Sequence, residues 1–84
     1  MKLADSSDRK ALYNRLCRIE GQLRGIRAMI DDGEDCAKVA MQLSAVRSAV
    51  NQTLGAFALC AIEQSRESGG KHDAEISKVI KTVL

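Results

Sequence analysis

Three cysteines, Cys17, Cys36 and Cys60, are the most reactive side chains in a chain of 84 residues. A thiolate binds soft metals and attacks electrophilic sulfur or carbon. Cys36 falls where a helix is expected to begin, directly after the turn-forming run Asp31-Asp32-Gly33-Glu34-Asp35. The partial positive charge of a helix start favours a thiolate there, and Glu34 and Asp35 oppose it. Cys60 lies on the same expected helix, about 36 Å further along at 1.5 Å per residue. The two thiols of one chain therefore cannot meet. In an antiparallel dimer the start of one helix lies near the end of the other, so Cys36 could face Cys60 of the partner subunit, twice per dimer as two-fold symmetry requires. Packing offers a plainer reading of each. Cys36 can be a small hydrophobe at a helix start, and Cys60, three residues after Phe57, can be core. Cys17 reads as packing or surface. His72, in the Gly69-Gly70-Lys71-His72 stretch, reads as an exposed loop residue.

A second chemistry is suggested by charge. The formal net charge is only +2, but residues 1–27 carry seven bases and three acids, a net of +4, and the remainder is net −2. A basic first segment suits a polyanion such as nucleic acid, or else a merely solvated helix face. Arg15, Arg18 and Gln22 follow at i, i+3 and i+7 and share one helix face. Arginine pairs bidentately with phosphates and with guanine edges. No helix-turn-helix pattern is present, so binding of this kind would use the outer face of a helical bundle and read backbone and groove shape as much as bases.

Three helices are needed to position these groups. Leu12, Leu16, Ile19, Leu23, Ile26 and Ile30 recur at alternating spacings of four and three, a heptad seam for packing against another helix. Ser7 or Asp8 can cap its start, and Gly33 can end it in a left-handed conformation. A second helix is expected from near Asp35 to about Ser68, with Val39, Leu43, Val46, Val50, Leu54, Phe57 and Ala61 as its seam and Thr53 softening the register. Gly69-Gly70 should stop it. A short third helix follows a cap at Asp73 and carries Ile76, Val79, Ile80, Val83 and Leu84 on one stripe. Residues 1–6 are expected to be disordered. The fold class is thus all-α, a single domain over residues 1–84. Two apolar stripes facing each other leave their outer edges wet, so a second hairpin should complete an antiparallel four-helix-bundle dimer, with the third helix covering an end or joining two dimers.

Several function classes lack support. With one His, no Gly-rich phosphate loop and no spacing that suits a Ser/His/Asp arrangement, the chain does not read as an enzyme. No stretch approaches the roughly 20 apolar residues of a membrane span. Met1-Lys2-Leu3 has no hydrophobic run behind it, and a cytoplasmic protein without a structural disulfide framework is expected.

The run Arg15-Leu16-Cys17-Arg18-Ile19-Glu20-Gly21-Gln22-Leu23-Arg24-Gly25-Ile26 resembles the first-helix signature of the copper-sensitive operon repressor family, which also holds nickel/cobalt, formaldehyde and persulfide sensors. Asp35-Cys36 followed by Gln42-Leu43-Ser44-Ala45-Val46-Arg47-Ser48-Ala49 is a second match at the family's spacing. The resemblance covers nearly the whole chain. It implies an antiparallel dimer assembling into a tetramer as a dimer of dimers. It implies a repressor that releases operator double-stranded DNA when an inducer binds between protomers. Cys36 matches the cysteine these sensors share, and Arg15, Arg18, Gln22 and Arg47 match positions on the DNA-binding face. The departures from the family pattern narrow the chemistry. The family's metal sensors have His where this chain has Ala61, and its copper and persulfide sensors have a second Cys where this chain has Ser65. Formaldehyde sensors have Pro where this chain has Lys2. Cys60 lies five residues short of the second-cysteine position, about 140° round the helix. Cys36, with Cys60 of the partner subunit as a conditional second thiol, therefore suits thiol modification by persulfide, electrophile or oxidant. The alternative is a soft ion such as Cu(I), or another transition metal, held by Cys36 and Cys60. No cofactor is required by the first reading. A helical scaffold with no DNA role is the remote alternative.

Overall fold

A computed structural model describes residues 6–67, 69–70 and 73–83. Three helices follow in order, α1 (Ser6–Asp31), α2 (Cys36–Glu67) and α3 (Asp73–Val83). Ser6, expected within a disordered lead, is instead the first helical residue; Asp8 in the first turn places an acid at the positive end of the helix dipole. The rest of that expected lead, along with Ser68, His72 and Leu84, lies outside the described residues.

Both interhelical turns are built by glycine in left-handed conformations. At the end of α1, Gly33 has φ 68°. The Glu34 N–H donates to the Met29 carbonyl at 2.9 Å and the Gly33 N–H to the Ile30 carbonyl at 3.1 Å. That nested pair closes the last turn of a helix on its own carbonyls. The same pair ends α2, where the Gly70 N–H reaches the Ser65 carbonyl at 2.9 Å and the Gly69 N–H the Arg66 carbonyl at 3.3 Å. Gly33→Ala forces a Cβ into left-handed backbone, which costs about 1–2 kcal/mol. It should lower the melting temperature by several degrees, at roughly 4–8 °C per kcal/mol for a domain of this size. Thermal unfolding followed by circular dichroism checks this, and an unchanged melt would show that the turn has another solution.

α1 and α2 form the expected antiparallel hairpin, and α3 packs against α2. The seam of α1 is split between two environments. Leu12, Ile19 and Ile26, seven residues apart, are 3–8% exposed, whereas Leu16, Leu23 and Ile30 are 43–60% exposed. The first set meets α2, with Ile19, Ile26 and Val46 forming a cluster that Val39 and Ala49 flank. The second set faces away from it. α2 divides likewise. Val46 and Thr53 are buried, and Leu43 and Val50 are among the exposed large apolar side chains. Thr53, rather than Leu54, takes the buried place after Val46, because the spacing of seven along Val39, Val46 and Thr53 keeps one line toward α1. Its hydroxyl is satisfied locally by donating to the Ala49 carbonyl at 2.8 Å.

Half of each seam therefore closes the hairpin and half stays open. The open half runs as one strip over both helices, through Leu16, Leu23 and Ile30 on α1 and Leu43 and Val50 on α2. A single protomer leaves this strip in water.

Candidate functional site

Asp35 starts α2. Its carbonyl accepts from the Val39 N–H at 3.1 Å, the first bond of the helix, and its carboxylate accepts from the Ala37 N–H at 3.1 Å. That is the bonding of an N-cap, and it makes Cys36 the first residue inside the helix. The Cys36 thiol is exposed. Beside it, Lys38 and Glu34 pair at 3.5 Å on an exposed surface, an arrangement that adds little stability.

Helical spacing fixes where Cys36 stands relative to the rest of α2. Cys36, Leu43 and Val50 are seven residues apart, so the thiol begins the open apolar line of this helix. Ala61 and Ser65 fall within about 20° of Cys36 itself at 100° per residue, with Ser65 about 60° round from Val50. Unlike the residues before them, both are buried in the protomer. Cys60 instead continues the line of Val46 and Thr53 toward α1, about 120° round from Cys36. Its thiol is half-buried, and the thiol of Cys17 on α1 is exposed. The structure thus separates the two sequence-predicted thiols both by distance along α2 and by face. Among the described residues, no three His, Cys, Asp or Glu side chains are grouped so as to hold a metal ion.

A metal site of the Cys/His/Cys kind does not fit the residues on this line. Ala61 offers a methyl group. Ser65 offers a hydroxyl, a hard and weak donor toward a soft ion. That hydroxyl is already engaged, donating to Asp73 Oδ1 at 3.3 Å.

The basic residues converge on the other flank of the hairpin seam. Arg15, Arg18 and Gln22 of α1 and Gln52 of α2 line an open concavity of about 380 Å³, floored by Ile19, Ala49 and Thr53. Two guanidinium groups and two amides thus face one hollow. Such a set can clasp a phosphodiester backbone and offer bidentate amides to a base edge. Gln52 was missed by the sequence reasoning. The available signal was its place three residues after Ala49, on the polar shoulder of the α2 seam opposite Leu43 and Val50. Arg47 does not join this hollow. It stands about 160° round α2 from Ala49, exposed, with a guanidinium nitrogen donating to Ser44 Oγ at 3.3 Å. No helix among the described residues is long and apolar enough to cross a membrane.

Comparison with known proteins gives a consistent set of relatives. The family model described as a metal-sensitive transcriptional repressor matches residues 8–84. The copper-sensing transcriptional repressor CsoR of Bacillus subtilis is 42% identical over 45 residues, which span 54% of this chain and 45% of CsoR. The transcriptional repressor RcnR of Salmonella typhimurium is 30% identical over 74 residues, 82% of each chain. Among solved structures, the nickel-responsive transcriptional regulator InrS matches with a TM-score of 0.72 at 26% identity, over 100% of this chain and 98% of that one.

Proposed function

Because the chain belongs to the metal-sensitive transcriptional repressor family, we propose that it is an operator-binding repressor whose inducer acts on Cys36 at the interface of a homodimer. The observation that carries this reading is the place of Cys36. Its thiol is exposed, opens α2, and heads the same apolar line as Leu43 and Val50, which only another subunit would bury. A change at that thiol is then felt by two chains at once. An effector acting there can shift the population of DNA-binding dimers if its interaction differs between the bound and released forms.

Thiol modification is the preferred chemistry, because neither Ala61 nor Ser65, at the far end of α2 where an antiparallel partner would meet Cys36, supplies a nitrogen or sulfur donor. Metal sensing is the second reading. It is favoured by the family's description and by copper and nickel in the names of relatives, and it requires donors from outside the Cys36 line. Both are tested on one sample, by fluorescence anisotropy of promoter DNA with the reduced protein, the sulfane-sulfur-treated protein and the protein titrated anaerobically with Cu(I) or Ni(II). Release on sulfur treatment supports the first reading, and release on stoichiometric metal supports the second. If neither treatment moves the protein off DNA, both are wrong.

The DNA surface of this reading is the hollow of Arg15, Arg18, Gln22 and Gln52, with Arg47 as a separate phosphate contact. The arginines supply affinity, which depends on salt because each phosphate contact releases counterions. Arg15→Ala should weaken operator and random DNA alike and lower the slope of log K against log salt by about 1 per protomer. Anisotropy at a series of salt concentrations reads the slope, and an unaltered slope removes Arg15 from the interface. A dimer, extending to a dimer of dimers, and a cytoplasmic location complete the proposal.

A further inference from the structure

We propose that the two walls of the hollow divide the reading of a DNA duplex, α1 on the phosphates and α2 on the base edges, with Gln52 selecting adenine in the major groove. The inference rests on the operator-binding reading above and deepens it by naming the residue that sets sequence preference.

The walls differ in charge. α1 carries Arg9, Lys10, Arg15, Arg18, Arg24 and Arg27, and it gives the hollow both of its guanidinium groups. α2 is nearly neutral over the same stretch, with Arg47 its only charged residue between Lys38 and Glu63. Arg47 stands about 140° round the helix from Gln52 and faces elsewhere. The wall that α2 gives to the hollow is Ala49, Gln52 and Thr53, and it has no charge at all. A cationic wall gains from phosphates by releasing their counterions. A neutral wall gains nothing that way. It suits the base edges, where neutral donors and acceptors carry the sequence.

The walls also differ in relief. The neighbours of Gln52 one turn to either side are Ser48, Ala49, Gly55 and Ala56. All four are small, so the exposed side chain of Gln52 stands above a low surface. Such a surface can approach the floor of a groove closely. A major groove about 12 Å wide admits one helix. Packed helices lie about 8–10 Å apart, so a second helix beside the first falls over the phosphates that border the groove. With α2 inserted, α1 takes that outer place, and Arg15 and Arg18 meet the backbone. The Gln52 amide donates through its NH2 and accepts through its oxygen. Adenine completes both bonds, with N7 as acceptor and N6–H2 as donor.

The test is selection from a duplex library with a randomised core, read by sequencing the bound pool. The wild-type protein should enrich adenine at a fixed position. Gln52→Ala keeps a good helix former at an exposed site. It should leave that position degenerate, a loss of roughly five- to hundredfold in discrimination. Its affinity for the unselected library and the salt slope should stay as in the wild type. Gln52→Glu has acceptors only and should move the preference from adenine to cytosine, whose N4 amino group is a donor. A merely structural role does not exchange one base for another. Gln22→Ala alters the α1 wall and should keep the adenine preference. One preferred base shared by wild type, Gln52→Ala and Gln52→Glu overturns the assignment. So does a wild-type pool with no fixed adenine, or loss of the preference in Gln22→Ala. Salt-dependent binding of unselected duplex in the same samples keeps the functional reading standing when the assignment falls. If the wild-type protein retains no duplex at any salt concentration, the repressor reading falls, and the role of Gln52 falls with it.

Discussion

Val50→Glu should convert the protein to a monomer that no longer binds its operator. Val50 is exposed on the open apolar strip, near the middle of α2. Antiparallel pairing along that strip sets the two copies of residue 50 close together at the two-fold axis. Two carboxylates would then lose water with no cation between them. The cost of stripping water from an unpaired ion in a protein is several kcal/mol. At about 1.4 kcal/mol per decade, dimer affinity should fall at least a hundredfold. Sedimentation velocity at micromolar protein should show the protomer, and DNA affinity should fall with it because two hollows are no longer held in register. Ser48→Glu is the matched control. It adds the same charge at an exposed position outside the strip and should leave the sedimentation coefficient of the dimer in place. A Val50→Glu protein that remains dimeric would mean that the strip is covered by something other than a second hairpin.

Cys36→Ala should leave operator affinity within about twofold and abolish the response to inducer. The side chain is small and exposed in the protomer, and alanine keeps its Cβ, so the change removes one sulfur from the proposed interface and leaves the helix bonding in place. The response depends on the sulfur itself, since alanine neither takes up added sulfur nor ligates a metal. Cys17→Ala should respond as the parent protein does. Cys60→Ala discriminates more sharply. Were Cys60 the thiol that resolves a modified Cys36, its loss would remove the inter-subunit disulfide and blunt the response. Its line toward α1, well round the helix from Cys36, leads us to expect release to persist in Cys60→Ala with no disulfide in either protein. A reporter driven by the operator, together with non-reducing electrophoresis, reads both outcomes.

Much of this architecture was legible in the chain. Gly33 and Gly69-Gly70 marked both turns because a left-handed helix end is a local requirement that glycine meets most easily. The heptad spacing on α1 and α2 gave the hairpin because periodicity reports which face is apolar. Periodicity does not report which partner covers each half of the face. Leu12 and Leu16 look alike in sequence, but one is buried inside the protomer and the other is open. Thr53 reads in sequence only as a softening of the register beside Leu54, yet a bond to Ala49 one turn back makes it fit for the interior. Gln52 escaped because its role depends on lying across from Arg15 and Arg18, a relation between helices that no spacing within α2 encodes. Cys36 was visible as a helix-start thiol. That the line it heads stays open through Leu43 and Val50 required knowing which half of the α2 seam closes the hairpin.

The protomer measures 53 × 25 × 12 Å. The shortest of these spans is far below the other two, so the protomer is a flattened body, and no described side chain is fully removed from solvent. Such a plate has two outer surfaces and almost no inside. In the dimer proposed above, association adds to its folding free energy, which ties the folded population to protein concentration by mass action. The melting temperature should accordingly climb with total protein. In a cell, dilution alone would then retire the repressor, because chains too scarce to find one another would unfold and be degraded before any inducer arrived.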